Sequence, residues 1–217
     1  PRTGTSLTRL RSSQLAEVLA GSREWVIEDD HCGERLLAED VSIGQFLPDR
    51  CVHIRSYSKS HGPDLRFAAV GGAAEVIDPM VARRMLGPGW TSRLLQAVLL
   101  DLLTHADPQE SVRQARIAYT RRGTLLRERL KDRGVAASPG DGINVWIPVE
   151  DERSALITLA AAGIRVAPGS PFIVTADSTT RDAIRVTTGR LPDDEDRIED
   201  VASIIARAAG SAGGTLR

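Results

Sequence analysis

Three short, largely apolar runs constrain the fold of this chain more than any other feature: Trp25-Val26-Ile27, Cys51-Val52-His53-Ile54 and Phe67-Ala68-Ala69-Val70. Each is too short for a helix, and each is closed by polar or glycine residues, which makes it a strand by length and punctuation. The first runs out in Glu28-Asp29-Asp30, the second in serines and Lys59, the third in Gly71-Gly72. Before them, Leu15, Val18 and Leu19 predict a short helix capped by Ser12 or Ser13 and closed by Gly21. A loop with Gly44 and Pro48 joins the first two runs, and Gly62-Pro63 marks a turn before the third. Short continuous apolar strands alternating with helices predict an α/β fold with a parallel or mixed sheet.

From Glu75 onward the pattern is helical. One helix is expected over residues 76–86, stopped by Gly87-Pro88-Gly89. A second, capped by Thr91 or Ser92, carries Leu94, Leu95, Val98, Leu99, Leu102 and Leu103. A long third helix is expected over 111–133, with sparse apolar positions and a face bearing Arg113, Arg116, Arg121, Arg122, Arg127, Arg129 and Arg133. That face reads either as a nucleic-acid surface or as a solvated helix. Interleaved Glu128 and Asp132, with no interleaved aromatics, favour the second. A composition shift over 134–142 suggests a boundary. Beyond it a strand over 143–147, a helix over 151–162, a short strand over 165–167, a strand over 184–186 and a helix over 193–209 predict a small α+β unit. The glycine-rich end, 210–217, reads as frayed.

Composition excludes several classes. The chain has 217 residues, 41% hydrophobic and 26% charged, which suits one or two globular domains. A net charge of -1 provides no global field toward nucleic acid or a membrane. No apolar run approaches the roughly 18 residues that span a bilayer, and no secretory signal pattern opens the chain. Cys32 and Cys51 are too few for a disulfide framework, so a cytoplasmic, reduced setting is expected. The opening Pro1-Arg2-Thr3-Gly4 reads as the middle of a loop and suggests a fragment or processed product.

Of the 28 basic residues only Lys59 and Lys131 are lysines. Arginine stays protonated, whereas a lysine can lose its proton and attack a carbonyl. Lys59, set in Ser56-Tyr57-Ser58-Lys59-Ser60 at the end of an apolar run, is a candidate imine-forming lysine. The alternative is an ordinary surface lysine in a loop. Ligands of open α/β sheets sit beyond the carboxyl ends of the strands, and Asp29 and Lys59 both fall there. With Ser56, Ser58 and Arg66 they make up a carboxylate, an amine, two hydroxyls and a guanidinium. Those are the parts that hold pyridoxal phosphate: a carboxylate for the pyridinium nitrogen, a lysine for the aldehyde, and hydroxyls and arginine for the phosphate.

Glu28-Asp29-Asp30-His31, Ser56-Tyr57-Ser58-Lys59-Ser60 and Gly62-Pro63-Asp64-Leu65-Arg66 resemble the signature of class I/II, fold-type I pyridoxal phosphate-dependent aminotransferases. The likeness is closest to the aminotransferase-like domain of MocR-type GntR transcriptional regulators. The helix with Arg116, Tyr119, Arg121 and Arg122 resembles the interdomain helix of that group. Gly142-Ile143-Asn144-Val145-Trp146 resembles its first small-domain strand, and Ile184-Arg185-Val186 the strand bearing its carboxylate-binding arginine.

The resemblance implies that residues 1–107 form the C-terminal part of a PLP-binding large domain. Residues 108–217 would form the interdomain helix and a small α+β domain. It implies pyridoxal phosphate as cofactor, Lys59 as Schiff-base lysine and proton shuttle, and Asp29 as pyridinium partner. Ser56, Ser58 and Arg66 become phosphate ligands and Arg185 the clamp on a substrate carboxylate. His31 stands where the group has tyrosine. It is either a donor to the cofactor's phenolic oxygen that titrates near neutral pH, or a polar loop residue. Arg2 stands where asparagine or proline is expected, and the residues supplying the rest of the cofactor site are expected outside this chain. No metal is expected.

The expected partners are an amino acid or amine and a second copy in a homodimer, with nucleic acid contacted only through a domain not in this chain. Two functions follow: amino-group transfer between an amino acid and a 2-oxo acid, or sensing of PLP and an amine by a regulator. A cofactor-free structural domain is the third possibility.

Overall fold

The computed structural model describes residues 6–31, 41–140, 143–173 and 182–210. It divides into two compact units, Leu7–Arg116 and Ile117–Arg217, the second including the first six residues.

In the Leu7–Arg116 unit, β1 (Val26–Asp30) lies parallel to β2 (Cys51–Ser56), and β3 (Ala68–Gly72) runs antiparallel on the far side of β2. The sheet is mixed, as expected. β1 runs through Glu28-Asp29-Asp30 instead of ending before them, because β2 supplies partners for alternate acids. Asp30 pairs with Arg55 Nε and lies 3.6 Å from His53 Nε2. Glu28 accepts from Ser42 Oγ, from the Ile43 amide at 2.8 Å and from Cys51 Sγ at 3.4 Å, with His53 Nδ1 at 3.3 Å. Strand alternation places Glu28, Asp30, His53 and Arg55 on one face, and Ile27, Asp29, Ile54 and Ser56 on the other. On the latter face Val52 of β2 is buried, but Ile27 is 67% exposed, so β1 is not the buried strand that its apolar start predicts.

α1 (Arg9–Ala20) is capped by Thr8, whose hydroxyl accepts from the Arg11 amide at 3.2 Å. Ser12, expected as a cap, lies buried inside the helix. Gly21 closes α1 as predicted, and the Arg50 guanidinium takes up the carbonyls of Leu19 and Ser22 there. α2 (Ala74–Met85) and α3 (Arg93–Thr104, capped by Ser92) follow, and neither buries a single residue. α4 (Ala106–Lys131) starts ahead of its predicted onset. Pro108 falls in its first turn, where amides have no intrahelical acceptor and a proline costs nothing.

The second unit holds an antiparallel sheet of order β4-β6-β5, from β4 (Asn144–Pro148), β5 (Ala167–Pro168) and β6 (Ala183–Thr187). α5 (Glu152–Ala161, capped by Asp151) and α6 (Glu195–Ala208, capped by Asp194) complete it. Leu126 and Leu130 of α4 pack with Val145, Ile147, Leu159, Ile184, Ile198 and Ile205, all essentially without solvent exposure. Each contributes about 1.5–3 kcal/mol by burial. β5 covers Ala167–Pro168 rather than the expected 165–167, and its Pro168, which lacks an amide donor, is tolerated because β5 is an edge strand. By contrast, the described residues of the first unit bury only Ala16, Ile43, Cys51 and Val52 among apolar side chains.

Burial and the neighbouring Glu28 carboxylate push the Cys51 thiol up to about 11, so it stays protonated and inert. Cys32 lies outside the described residues. Partial burial works to raise the Glu28 carboxyl, but hydrogen bonds from Ser42, the Ile43 amide, His53 and Cys51 outweigh it and hold Glu28 below its ordinary value of 4.5. A depressed carboxylate stabilises the fold above its unfolded pKa, and that stability is lost as pH falls through the folded value. Glu28→Gln therefore destabilises the chain at pH 7 by about 1–2 kcal/mol. The gap from wild type closes in acid, below 4.5, which denaturant melts at stepped pH will check.

Candidate functional site

β1 carries three consecutive acids, and their environments differ. Glu28 and Asp30 are engaged on one face by β2. Asp29, on the other face, is exposed and has no cationic partner among the described residues. It sits in the last two residues of β1, inside the strand rather than past it. His31 follows directly and is half-buried.

β2 ends at Ser56, on the same face as Asp29. The chain then turns sharply. The His61 amide donates to Tyr57 O at 2.9 Å and the Ser58 amide to Ser56 Oγ at 3.3 Å. The Tyr57 amide donates to Phe67 O at 3.1 Å, which pins both ends of the loop together. Lys59 lies in this turn, exposed and with no carboxylate partner among the described residues. Arg66 caps the 3₁₀ turn Pro63–Leu65 in the left-handed region, at φ 54° and ψ 40°. It is the one non-glycine residue with positive φ among those described. A bulky side chain adopts that conformation only where the surroundings hold it, and such outliers gather at functional loops.

Asp29, Ser56, Ser58, Lys59 and Arg66 therefore gather at one end of the sheet: the carboxyl ends of two adjacent parallel strands and the start of β3. Adjacency of β1 and β2 is the condition for Asp29 and Lys59 to share a crevice, and it is met. A separate cavity of about 240 Å³ is lined by His61, Leu103, Gln109, Val112, Arg113 and Arg116 and holds none of these residues.

Arg185 belongs to the other unit. It sits mid-strand in β6, opposite Trp146 of β4 and Ala167 of β5. Its Cζ lies 4.1 Å from the centroid of the Phe172 ring, and its Nε is buried without a hydrogen-bond partner. No carboxylate pairs with it among the described residues. Many arginines of α4 and the turn after it behave otherwise. Arg113 pairs with Glu110, Arg121 and Arg122 with Asp193, and Arg129 and Arg133 with Glu199. The hydrogen bonds from Arg122 come first in holding the exposed Asp193 carboxyl below its ordinary value. Much of the arginine-rich face is thus committed to internal ion pairs, in line with the solvated-helix reading.

Sequence reasoning missed two features. One is the Glu28–His53–Asp30–Arg55 ladder; its signal is the alternation of acids in one strand and bases in the next. The other is Phe172 beneath Arg185, for which the sequence carries no signal. Arg2, Thr3 and Gly4 lie outside the described residues.

No family model matches the chain. It is 34% identical over 195 residues to the vitamin B6 salvage pathway transcriptional repressor PtsJ of Salmonella typhimurium, covering 89% of this chain and 45% of that protein. It is 23% identical over 205 residues to the uncharacterised HTH-type transcriptional regulator YhdI of Bacillus subtilis, covering 90% and 43%. The chain thus spans about half the length of the curated relatives it matches. Among solved structures, aspartate aminotransferase of Thermus thermophilus with maleate superposes with a TM-score of 0.80 at 23% identity, over 95% of this chain and 54% of that one. Aromatic aminotransferase of Pyrococcus horikoshii matches with a TM-score of 0.80 at 20% identity, over 95% and 56%. LysN, an α-aminoadipate aminotransferase of Thermus thermophilus complexed with N-(5'-phosphopyridoxyl)-L-leucine, matches with a TM-score of 0.77 at 19% identity, over 94% and 54%. This chain has the fold of these aminotransferases and is similar in sequence to two bacterial transcriptional regulators.

Proposed function

We propose that the protein carrying this chain binds pyridoxal phosphate beyond the carboxyl ends of β1 and β2 and uses it for amino-group chemistry on an amino acid or amine. The observation that carries this is the contrast within β1. Of three consecutive acids only Asp29 lacks a partner among the described residues, and the neighbouring parallel strand leads to Lys59, which has no carboxylate partner among them either. The donor set fits the cofactor. Asp29 holds a proton on its ring nitrogen. Ser56, Ser58 and Arg66 take its phosphate, and His31 donates to its phenolic oxygen. The cofactor, when bound, supplies an electron sink for the substrate amine. The Lys59 amine would hold the cofactor on the chain and, once displaced by the substrate amine, would move the proton at the substrate α-carbon. Arg185, whose guanidinium has no carboxylate partner among the described residues, grips the substrate carboxylate with paired N–H donors.

A second reading has its own support. The relatives are transcriptional regulators, and one is named for vitamin B6 salvage. In that reading the same site senses PLP and an amine, and nucleic acid is contacted by a domain outside this chain. Both readings place the protein in the cytoplasm. Among the described residues no helix is long and apolar enough to cross a membrane.

Absorbance titration of the complete protein with pyridoxal phosphate tests the shared claim, and a saturable visible band is expected. No band at any concentration overturns it. Release of a 2-oxo acid from an added amino acid then selects the enzyme, and a ligand-dependent change in DNA retention selects the regulator.

The open faces of the first unit carry a further prediction. Met85, Leu86, Trp90, Leu94 and Leu100 stand out from α2, α3 and the segment between them, Leu86 at 91% and Trp90 at 80% exposure. Apolar patches of this extent find partners. The chain is expected to self-associate as a homodimer or larger assembly, and light scattering of a purified sample will show it. A monodisperse monomer refutes this.

A further inference from the structure

We infer that Glu152 is a positioning residue for the Arg185 guanidinium, acting through the turn Ser170–Phe172. The inference rests on the reading of Arg185 as a carboxylate clamp and adds what holds the clamp in shape.

Glu152 opens α5, but its carboxylate is turned to a different element. One oxygen accepts from the amides of Gly169 and Ser170, at 2.7 and 2.8 Å. The other accepts from Ser170 Oγ at 2.7 Å. Three donors from two consecutive residues converge on one side chain, which fixes the start of the turn. The Gly169 amide also reaches Ala183 O on β6 at 2.8 Å, two residues before Arg185. A side chain at Gly169 would have no room, because its Cβ would stand 2.5 Å from Ala183 O and 2.8 Å from Trp146 Cη2. The turn is thus pressed against β6 and against Trp146, the residue opposite Arg185 in the sheet. From the other side, the Glu152 amide donates to Asp182 Oδ2 at 2.9 Å, and Asp182 O accepts from the Val149 amide at 2.9 Å. α5 is therefore tied to both flanks of the stretch that leads into Arg185.

The turn ends by laying the Phe172 ring under the guanidinium, 4.1 Å from Cζ. The ring covers one face and leaves the N–H edge for an incoming planar anion. A long, flexible side chain with no carboxylate partner among the described residues otherwise spends part of its binding energy on being ordered. Phe172 removes that cost, and Glu152 holds Phe172 in place. A Glu152 that merely tied a turn would affect melting temperature but not ligand affinity.

The test uses the full chain labelled with ¹⁵N and titrated with sodium pyruvate, a single 2-oxo carboxylate. The readout is the Nε–Hε resonance of Arg185, assigned by its loss in Arg185→Lys, with binding to that variant followed by ligand-observed saturation transfer. Phe172→Leu and Glu152→Gln are each expected to weaken pyruvate binding by about fivefold to tenfold. Phe172→Tyr, which keeps the ring, is expected to bind as wild type. Neither change should weaken binding further in an Arg185→Lys background, the sign of action through one group. Phe172→Leu removes no hydrogen bond, so it carries the test even where Glu152→Gln loosens the turn. Unchanged affinity in Phe172→Leu and Glu152→Gln, alongside weakened binding in Arg185→Lys, overturns the positioning role and leaves the clamp standing. Undiminished binding by Arg185→Lys overturns the clamp, and the positioning role with it.

Discussion

Lys59→Ala abolishes covalent capture of pyridoxal phosphate. When the complete protein is incubated with the cofactor and reduced with borohydride, peptide mass spectrometry is expected to locate a pyridoxyl group on Lys59 in the wild type. None is expected at any position of this chain in the variant. The expectation is all-or-none because the chain holds only one other lysine, Lys131, on α4 in the other compact unit. Arginine cannot substitute, since it does not deprotonate under protein conditions. Lys59 is exposed, has no carboxylate partner among the described residues, and lies in a turn held at both ends by backbone hydrogen bonds. An equal yield of adduct on the variant places the amine elsewhere.

Asp29→Ala carries the second largest effect, a fall in amino-group transfer of about a hundredfold or more. That is the scale on which enzymes lose rate when a preorganised electrostatic group is deleted. The neighbouring acids provide the control. Glu28→Gln and Asp30→Asn remove the same charge one residue away, yet they act on the β1–β2 ladder and are expected to alter stability more than rate. Single-turnover absorbance with a panel of amino acids measures the rate, and denaturant melts measure the stability. Near-normal turnover in Asp29→Ala places this carboxylate outside the site. A rate loss shared equally by all three variants shows that the strand end acts as one charged cluster rather than through Asp29.

Much of the fold was legible in local pattern. The strands, the helices from Ala74 onward and the stops at Gly21 and Gly87 follow from run length and from glycine and proline, whose effects act within a few residues, whereas β3 runs through Gly71-Gly72, its expected stop, because β2 supplies partners for both. The unusual lysine is a matter of composition alone. The caps divide instructively. Ser92, Asp151 and Asp194 cap their helices from just outside the apolar stripe, but Ser12 is drawn into α1 because its face is covered. A serine reads the same in sequence whether its helix face is wet or dry.

The sequence by itself determined the order of elements, the mixed α/β class and the presence of an amine, acids, hydroxyls and arginines at strand ends. The strand-end position and the resemblance pointed to Asp29, but nothing local in the sequence separates its environment from those of Glu28 and Asp30. That choice belongs to register. Pairing β1 with β2 sets Glu28 beside His53 and Asp30 beside Arg55, and the pleat turns Asp29 to the opposite face. Arg185 is a similar case. A chain full of arginines does not announce which of them pair with carboxylates. The answer depends on where Asp193, Glu199 and Glu152 fall after the chain has closed on itself. Local preferences act within one element, but charge pairing and strand register are set by residues far apart in the chain. Only the tertiary structure separates the free charges from the committed ones.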